Sequence, residues 1–343
     1  MLAALIAIGI FIEARDASIA ENDPVWISVP DRSVSQLRVM TYNVEGLPWP
    51  ARFGRDRAID KIAERLRQMN RDGLGPDILV IQEGFIDEVR KIGEDGEYPY
   101  IIAGPRADLT AWTPQSPLTQ KLAGHQQWLK GEGVGKFLDS GLWIFSKFPI
   151  VAMASAPYGA QSCAGFDCLA NKGVVFARIS VPGIEVPIDI YSTHLNSRTS
   201  SRVSQERANL AHHAQVDELS AFIANMSGGD RPLILAGDIN VRHSSERFTY
   251  LARRLSGLNF VDVYCGVIQI ACRTPASADA GKPWLVTQDH QLYRSARMVD
   301  LIPIDNRDVF SDQDGRPTLS DHKANLVTYS IRKASAVHNT LMN

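Results

Sequence analysis

The residue pattern predicts an α/β fold of two packed sheets flanked by helices, in one domain of about 300 residues. Short β-rich runs alternate with a few helical patterns along the chain. Several of the runs are continuously apolar yet brief, as expected of strands buried on both faces. No internal repeat, low-complexity tract or Pro/Gly/Ser linker divides the chain. Of the 343 residues, 45% are hydrophobic and 22% charged, which is enough apolar material for a substantial core.

The N-terminus, MLAALIAIGIFIEARDASIAEN, is apolar from Leu2 to Ile12. A bilayer-spanning helix needs about 20 such residues. This shorter run, followed by the small residues Ser18-Ile19-Ala20, predicts a signal peptide over 1–20 and a secreted or periplasmic protein, with an uncleaved anchor as the alternative. A lead-in over 21–36, one domain over 37–333 and a tail over 334–343 follow. LRVMTYNV (37–44) reads as a strand. Residues 55–70 place Ile59, Ile62, Leu66 and Met69 on one helical face, with Gly73 as the stop. DILVIQE (77–83), GLWIFSKFPI, GVVFARIS, VPIDIYSTHL and RPLILAGDIN read as further strands. A long helix over 201–226 carries Leu219, Phe222, Ile223 and Met226 inward, and LVTQDHQLY, RMVDLIPI and NLVTYSI supply the last strands. Residues 103–139, with Trp112, Trp128 and Phe137 among prolines and glycines, fit poorly and read as an irregular insertion.

The four cysteines fall in two local pairs, Cys163 with Cys168 and Cys265 with Cys272. Neither pair has metal spacing or a CxxC redox motif, so in an exported protein they read as disulfide-stapled loops. Lys plus Arg number 36 against 38 Asp plus Glu, so no global basic field favours nucleic acid.

Six segments give out from apolar residues onto a polar side chain of catalytic type. They end at Asn43, Glu83, His194, Asp238 with Asn240, Asp289, and Asp321 with His322. Any one has a bland explanation as an Asx turn, a solvated acid or a satisfied histidine. Together they suit one chemistry, because adjacent strands bring their ends together. Carboxylates and amides offer a hard divalent cation the oxygen ligands it prefers. A histidine beside a carboxylate is a general base near neutral pH.

In their order along the chain, TYNVEGLP, ILVIQE, GLWIFSKFPI, STHL, AGDIN and SDH resemble the motifs of the endonuclease/exonuclease/phosphatase superfamily, over roughly residues 37–330. The resemblance implies a four-layer α/β sandwich, two mixed β-sheets packed face to face with helices outside. It implies Glu83 as principal Mg²⁺ ligand, with Asn43 close by and Asp321 at or near the metal. Mn²⁺ or Co²⁺ would be possible substitutes. It further implies His322 as general base, oriented by Asp289 (with Asp300 a competing candidate). Asn240 and His194 would grip the phosphate, while Asp238 would position water or assist the leaving group.

Within that superfamily, DCLANKGVVFARI and YNVEGLPWP are similar to segments of neutral sphingomyelinases, which implies Lys172 beside the substrate phosphate. The expectation is therefore an exported Mg²⁺-dependent phosphodiesterase, sphingomyelinase-like, acting on a phospholipid at a membrane surface, with no stable protein partner implied. A secreted nuclease is the alternative, and only that reading brings in nucleic acid. An inositol-phosphate phosphatase and a non-catalytic lipid-binding module rank lower. Glu45 matches a position where abasic-site endonucleases carry Asp, and stays open as a second metal ligand or a solvated turn residue. Trp112, Trp128 and Trp284 lie in loop-like segments, either at a bilayer interface or packed under their own loops.

Overall fold

Leu37 and Val39 point one way along the first strand, and Met40, Tyr42 and Val44 the other, and all five are fully buried. A strand covered on both faces belongs to an inner layer. The computed structural model describes residues 35–111, 116–267, 272–273, 282, 285, 289–311 and 318–334. The expected signal peptide, Trp112 and Trp284 lie outside these residues. All described residues belong to one compact unit that begins at Arg32.

The chain runs through β1 (Gln36–Gly46), α1 (Arg55–Arg71), β2 (Ile78–Gly84), α2 (Val89–Asp95), β3 (Tyr100–Ala103), α3 (Pro117–Ala123) and β4 (Trp143–Ser146). It continues through β5 (Ile150–Pro157), β6 (Gly173–Ile179), β7 (Ile188–His194), α4 (Gln205–Ser227) and β8 (Leu233–Asp238). The last elements are α5 (Ser245–Arg254), β9 (Asn259–Phe260), α6 (Val261–Val267), β10 (Asp289–Arg294), β11 (Val299–Val309) and β12 (Ala324–Lys333). One sheet has the order β11-β12-β1-β2-β4-β3, the other β5-β6-β7-β8-β10-β9. Each has a single parallel pair at its centre, β1 with β2 and β7 with β8, and every other pairing is antiparallel. Parallel neighbours need a crossover, and α1 and α4 supply the two.

Three apolar layers hold the stack together. Between the sheets lie Val39, Ile78, Val80, Ile144, Ala177, Ile190, Ile234 and Val327. Outside the first sheet, Met40, Tyr42, Leu79 and Ile81 pack on Ile59, Ile62 and Leu66 of α1. Outside the second, Phe176, Tyr191 and Leu235 pack on Val216, Leu219 and Ile223 of α4. Burying each such side chain is worth about 1.5–3 kcal/mol. The result is the expected four-layer α/β sandwich. Among the described residues, no helix is long and apolar enough to cross a membrane.

The structure corrects three expectations. GLWIFSKFPI is two strands, not one. It leaves the first sheet as β4 and enters the second as β5, turning where the Ser146 hydroxyl accepts from Phe148 N and donates to Phe148 O. The long helix starts at Gln205 instead of 201, because the Ser204 side chain accepts from Arg207 N and caps it, a contact worth about 1 kcal/mol. Residues 103–139 are less irregular than expected. They contain α3, opened by a Ser116–Thr119 capping box, and are anchored by Glu132, whose carboxylate accepts from Gln127 N, Gly165 N and the Arg207 guanidinium of α4. The two cysteine pairs form the disulfides Cys163–Cys168 and Cys265–Cys272.

Candidate active site

Parallel strands present all their C-terminal ends on one edge, which is where α/β sheets collect ligands. Here Asn43 lies near the end of β1 and Glu83 is the penultimate residue of β2, while β7 and β8 end at His194 and Asp238. The antiparallel neighbours begin at that same edge. β10 opens at Asp289, directly opposite Asp238, and Asp321 and His322 precede β12.

Asn43 joins the two sheets. Its side-chain amide donates to Glu83 Oε1 (2.9 Å) and Asp238 Oδ2 (3.2 Å), and its backbone N–H donates to Asp289 Oδ2 (3.1 Å). Its Oδ1 accepts from Glu45 N. With both amide groups engaged in this way, Asn43 holds the carboxylates in place more than it offers a ligand oxygen. Asp289 Oδ1 lies 2.9 Å from His322 Nδ1, whereas Asp300 sits on β11 opposite Arg332. His322 Nε2 is 3.7 Å from Asp238 Oδ2. The Ser320 hydroxyl, which sequence reasoning passed over, donates to Asn43 O and accepts from His322 N, fixing the loop that carries His322.

On the second sheet, Lys172 Nζ reaches His194 Nε2 (3.2 Å), Leu195 O and Asp167 Oδ2 (2.9 Å). Asp167 also accepts from Ser197 N. Sequence reasoning missed Asp167, although it lies inside the DCLANK segment, five residues before Lys172. Asn240 Nδ2 donates to Leu195 O, and Asn240 N–H donates to Asp238 Oδ1. Asp321 is exposed at the mouth.

The backbone is bent to aim these groups. Glu83 and Asn240 have φ of 53° and 50°, a left-handed geometry that costs a non-glycine residue about 1–3 kcal/mol and that clusters at functional sites. Gly237 serves a different need, since a Cβ there would come within 2.1 Å of Thr193 O in the neighbouring strand. Glu45 (φ 50°) is more than a solvated turn residue. It pairs with Arg52 (2.5 Å) and Arg55 (3.5 Å).

Burial pushes the Glu83 carboxyl up to about 7, against the opposing effects of the Asn43 hydrogen bond and Lys172. Burial, with Lys172 and His322 nearby, holds His194 well below the usual histidine range, so it is neutral. For His322, burial disfavours the charged ring, but Asp289, Asp238 and Asp321 outweigh it and raise the value to about 10. Burial likewise raises Asp238.

Asp238, Asp289 and His322 each place a donor atom within 4.8 Å of the others, a cluster compatible with a divalent cation. His322 Nδ1 serves Asp289, so any share of His322 in a cation site would fall to Nε2. Glu83, a buried carboxylate whose hydrogen bond goes to Asn43 among the described residues, fits a hard cation better. Two cavities open onto these groups. One of about 370 Å³ is lined by Glu83, His194, Asp238 and His322 together with Arg198, Arg242 and His243. The other, about 570 Å³, shares Glu83, His194 and Asp321 and extends between Leu47, Phe85, Leu138, Phe166 and Leu169.

The chain matches the model of the endonuclease/exonuclease/phosphatase family over residues 40–322, and it belongs to that family. No curated protein sequence matches it significantly. Among solved structures, it is similar to a beta toxin mutant from Staphylococcus aureus with bound magnesium ions (TM-score 0.56, 19% identity, covering 86% of this chain and 99% of that one). It is also similar to sphingomyelinase C from Streptomyces griseocarneus (TM-score 0.56, 20% identity, 86% and 99%) and to the human Nocturnin catalytic domain (TM-score 0.53, 17% identity, 87% and 95%). At these identities the shared property is the fold.

Proposed function

We propose that the protein is an exported, Mg²⁺-dependent phosphodiesterase that hydrolyses sphingomyelin to phosphocholine and ceramide. The observation that carries the catalytic part is the Asp289–His322 pair held beside Asp238 and, across Asn43, Glu83. Glu83, with Asp321 at the mouth, would hold the cation, which supplies stabilisation of charge developing on the phosphoryl oxygens. An all-oxygen donor set suits Mg²⁺.

His322 would accept the proton of the attacking water at Nε2 while Asp289 fixes the ring through Nδ1. A cation near the carboxylates that raise its pKa draws that value back toward neutrality, as a base requires. Lys172 and neutral His194 would steady the non-bridging oxygens, with Asn240 alongside. Asp238 would orient the water or assist the leaving group.

The lipid part of the reading rests on the NKG and NVEGLP segments and on the larger cavity. Phe85 and Phe166 line it, and aromatic faces suit a quaternary ammonium. One observation favours a nuclease as the second reading, namely Arg198 and Arg242 in the smaller cavity, where neighbouring phosphates of a polyanion would sit. Parallel assays on sphingomyelin, phosphatidylcholine and plasmid DNA separate the two. Phosphocholine release supports the main reading. Nicked DNA without phosphocholine transfers the assignment to the nuclease.

A further inference from the structure

Seven large apolar side chains among the described residues are at least 67% exposed, and five of them sit on loops around one cavity. They are Trp49, Phe53, Trp128, Leu129 and Phe137. The 47–54 loop borders the larger cavity through Leu47, Ala51 and Arg52, and Leu138, next to Phe137, lines it as well. The Trp128–Lys130 turn joins the same rim, with Lys130 Nζ 5.7 Å above the ring of Phe166, another lining residue. Scattered single apolar residues on a surface are ordinary, whereas a concentration at the mouth of a reaction cavity calls for an occupant.

We propose that these loops form a docking surface for a phospholipid layer, which lets the protein reach a scissile phosphate without extracting the lipid. The proposal rests on the lipid reading above and adds the surface that would deliver that substrate. Three features favour a lipid layer. The apolar tips come from separate loops and include two tryptophans, the residue that settles at headgroup level in an interface. A cation accompanies them, Lys130 beside Trp128 and Leu129, and it suits a lipid phosphate. A small soluble diester would be enclosed by a cavity of about 570 Å³ and would never touch the outer tips. A nucleic acid would call for cations along the rim in place of five apolar groups.

The test uses the full chain carrying His322→Ala, so that vesicles stay intact, and flotation with vesicles of phosphatidylcholine and sphingomyelin. Two variants are compared with it, Trp49→Ser/Phe53→Ser and Trp128→Ser/Leu129→Ser/Phe137→Ser. Each is expected to lower vesicle partition by about tenfold or more, given the transfer energy of such side chains. On an otherwise unaltered chain, the same substitutions leave the melting temperature and the Mg²⁺-dependent cleavage of soluble bis(4-nitrophenyl) phosphate unchanged. Met153→Ser, on the exposed edge strand β5, serves as control and leaves flotation intact. Unchanged flotation of both loop variants, an equal loss with Met153→Ser, or no flotation of the parent overturns the proposal. Vesicle binding that depends on these loops, in a protein that releases no phosphocholine, sustains the surface and removes the head-group reading instead.

Discussion

The two central strand pairs end in chemically different ways. β7 and β8 deliver groups that arrive already compensated. Lys172 stands between Asp167 and His194, and Asp238 lies beside His194 and His322. β1 and β2 deliver Asn43 and Glu83, and burial outweighs the Asn43 hydrogen bond and the charges of Lys172 and His322, raising the Glu83 pKa to about 7. On the proposed reading, one side is arranged to hold an anion and move a proton. The other carries a carboxyl that burial leaves only partly ionised at neutral pH, and a bound cation would favour its charged form. The same architecture therefore serves two electrostatic tasks, and the partners of the strand-end residues decide which.

The sharpest way to break this contrast is Glu83→Gln, which keeps the shape and removes the charge. Expected is a loss of Mg²⁺-dependent turnover of about three orders of magnitude or more, the rate equivalent of several kcal/mol of charge stabilisation. The rise in melting temperature on adding Mg²⁺ should vanish with it. Near-wild-type activity at ordinary Mg²⁺ would place the cation elsewhere. His322→Ala should cost about 10²–10⁴-fold in kcat, the usual range for a general base, while the Mg²⁺ response of the melting temperature persists. A variant that loses both responses would join His322 to the cation site and dissolve the division of labour.

A smaller effect is expected in the pH dependence of stability without metal. Glu83 has a folded pKa near 7 against about 4.5 unfolded, so the folded state binds more protons between those values and stability falls as pH rises through them. His322, raised to about 10 from 6.5, contributes stability that is fully present below 6.5 and is lost as pH rises toward 10. In EDTA the melting temperature should therefore decline from pH 5 to pH 8, and Mg²⁺ should restore more of it at pH 8 than at pH 5. A flat profile in EDTA would show that Glu83 is better compensated than its surroundings indicate. Smallest is the loss of one staple. Cys163→Ser/Cys168→Ser should cost about 2 kcal/mol in denaturant unfolding, since a loop this short restricts the unfolded chain little.

The strand-end residues were legible in the sequence because each closes an apolar run with a polar group, a pattern that survives without knowledge of neighbours. The pairing of Asp289 with His322 was also within reach, although Asp300 competed until β11 placed it opposite Arg332. What stayed hidden depended on contacts between distant segments. The ion pairs of Glu45 stayed hidden because nothing local announces Arg52 and Arg55 folding back on it. GLWIFSKFPI read as one strand because its apolar pattern barely breaks where the chain changes sheets. Asp167 and Ser320 act through Lys172 and through the loop holding His322, and such positioning roles leave no periodic trace. Arg198 and Arg242 matter only once a cavity exists for them to line.

The bridge made by Asn43 also bears on how the protein comes to life. Its hydrogen bonds to Asp238 and Asp289 span 195 and 246 positions of the chain, and His322 arrives just ahead of the final strand. Contacts of such high order form late and slowly, because each closes a long loop before it is rewarded. Neither sheet can assemble the reactive constellation alone, and a nascent chain lacks it until His322 has emerged. Catalytic competence therefore coincides with the completion of folding, so recovery of turnover during refolding should report the docking of the two halves directly.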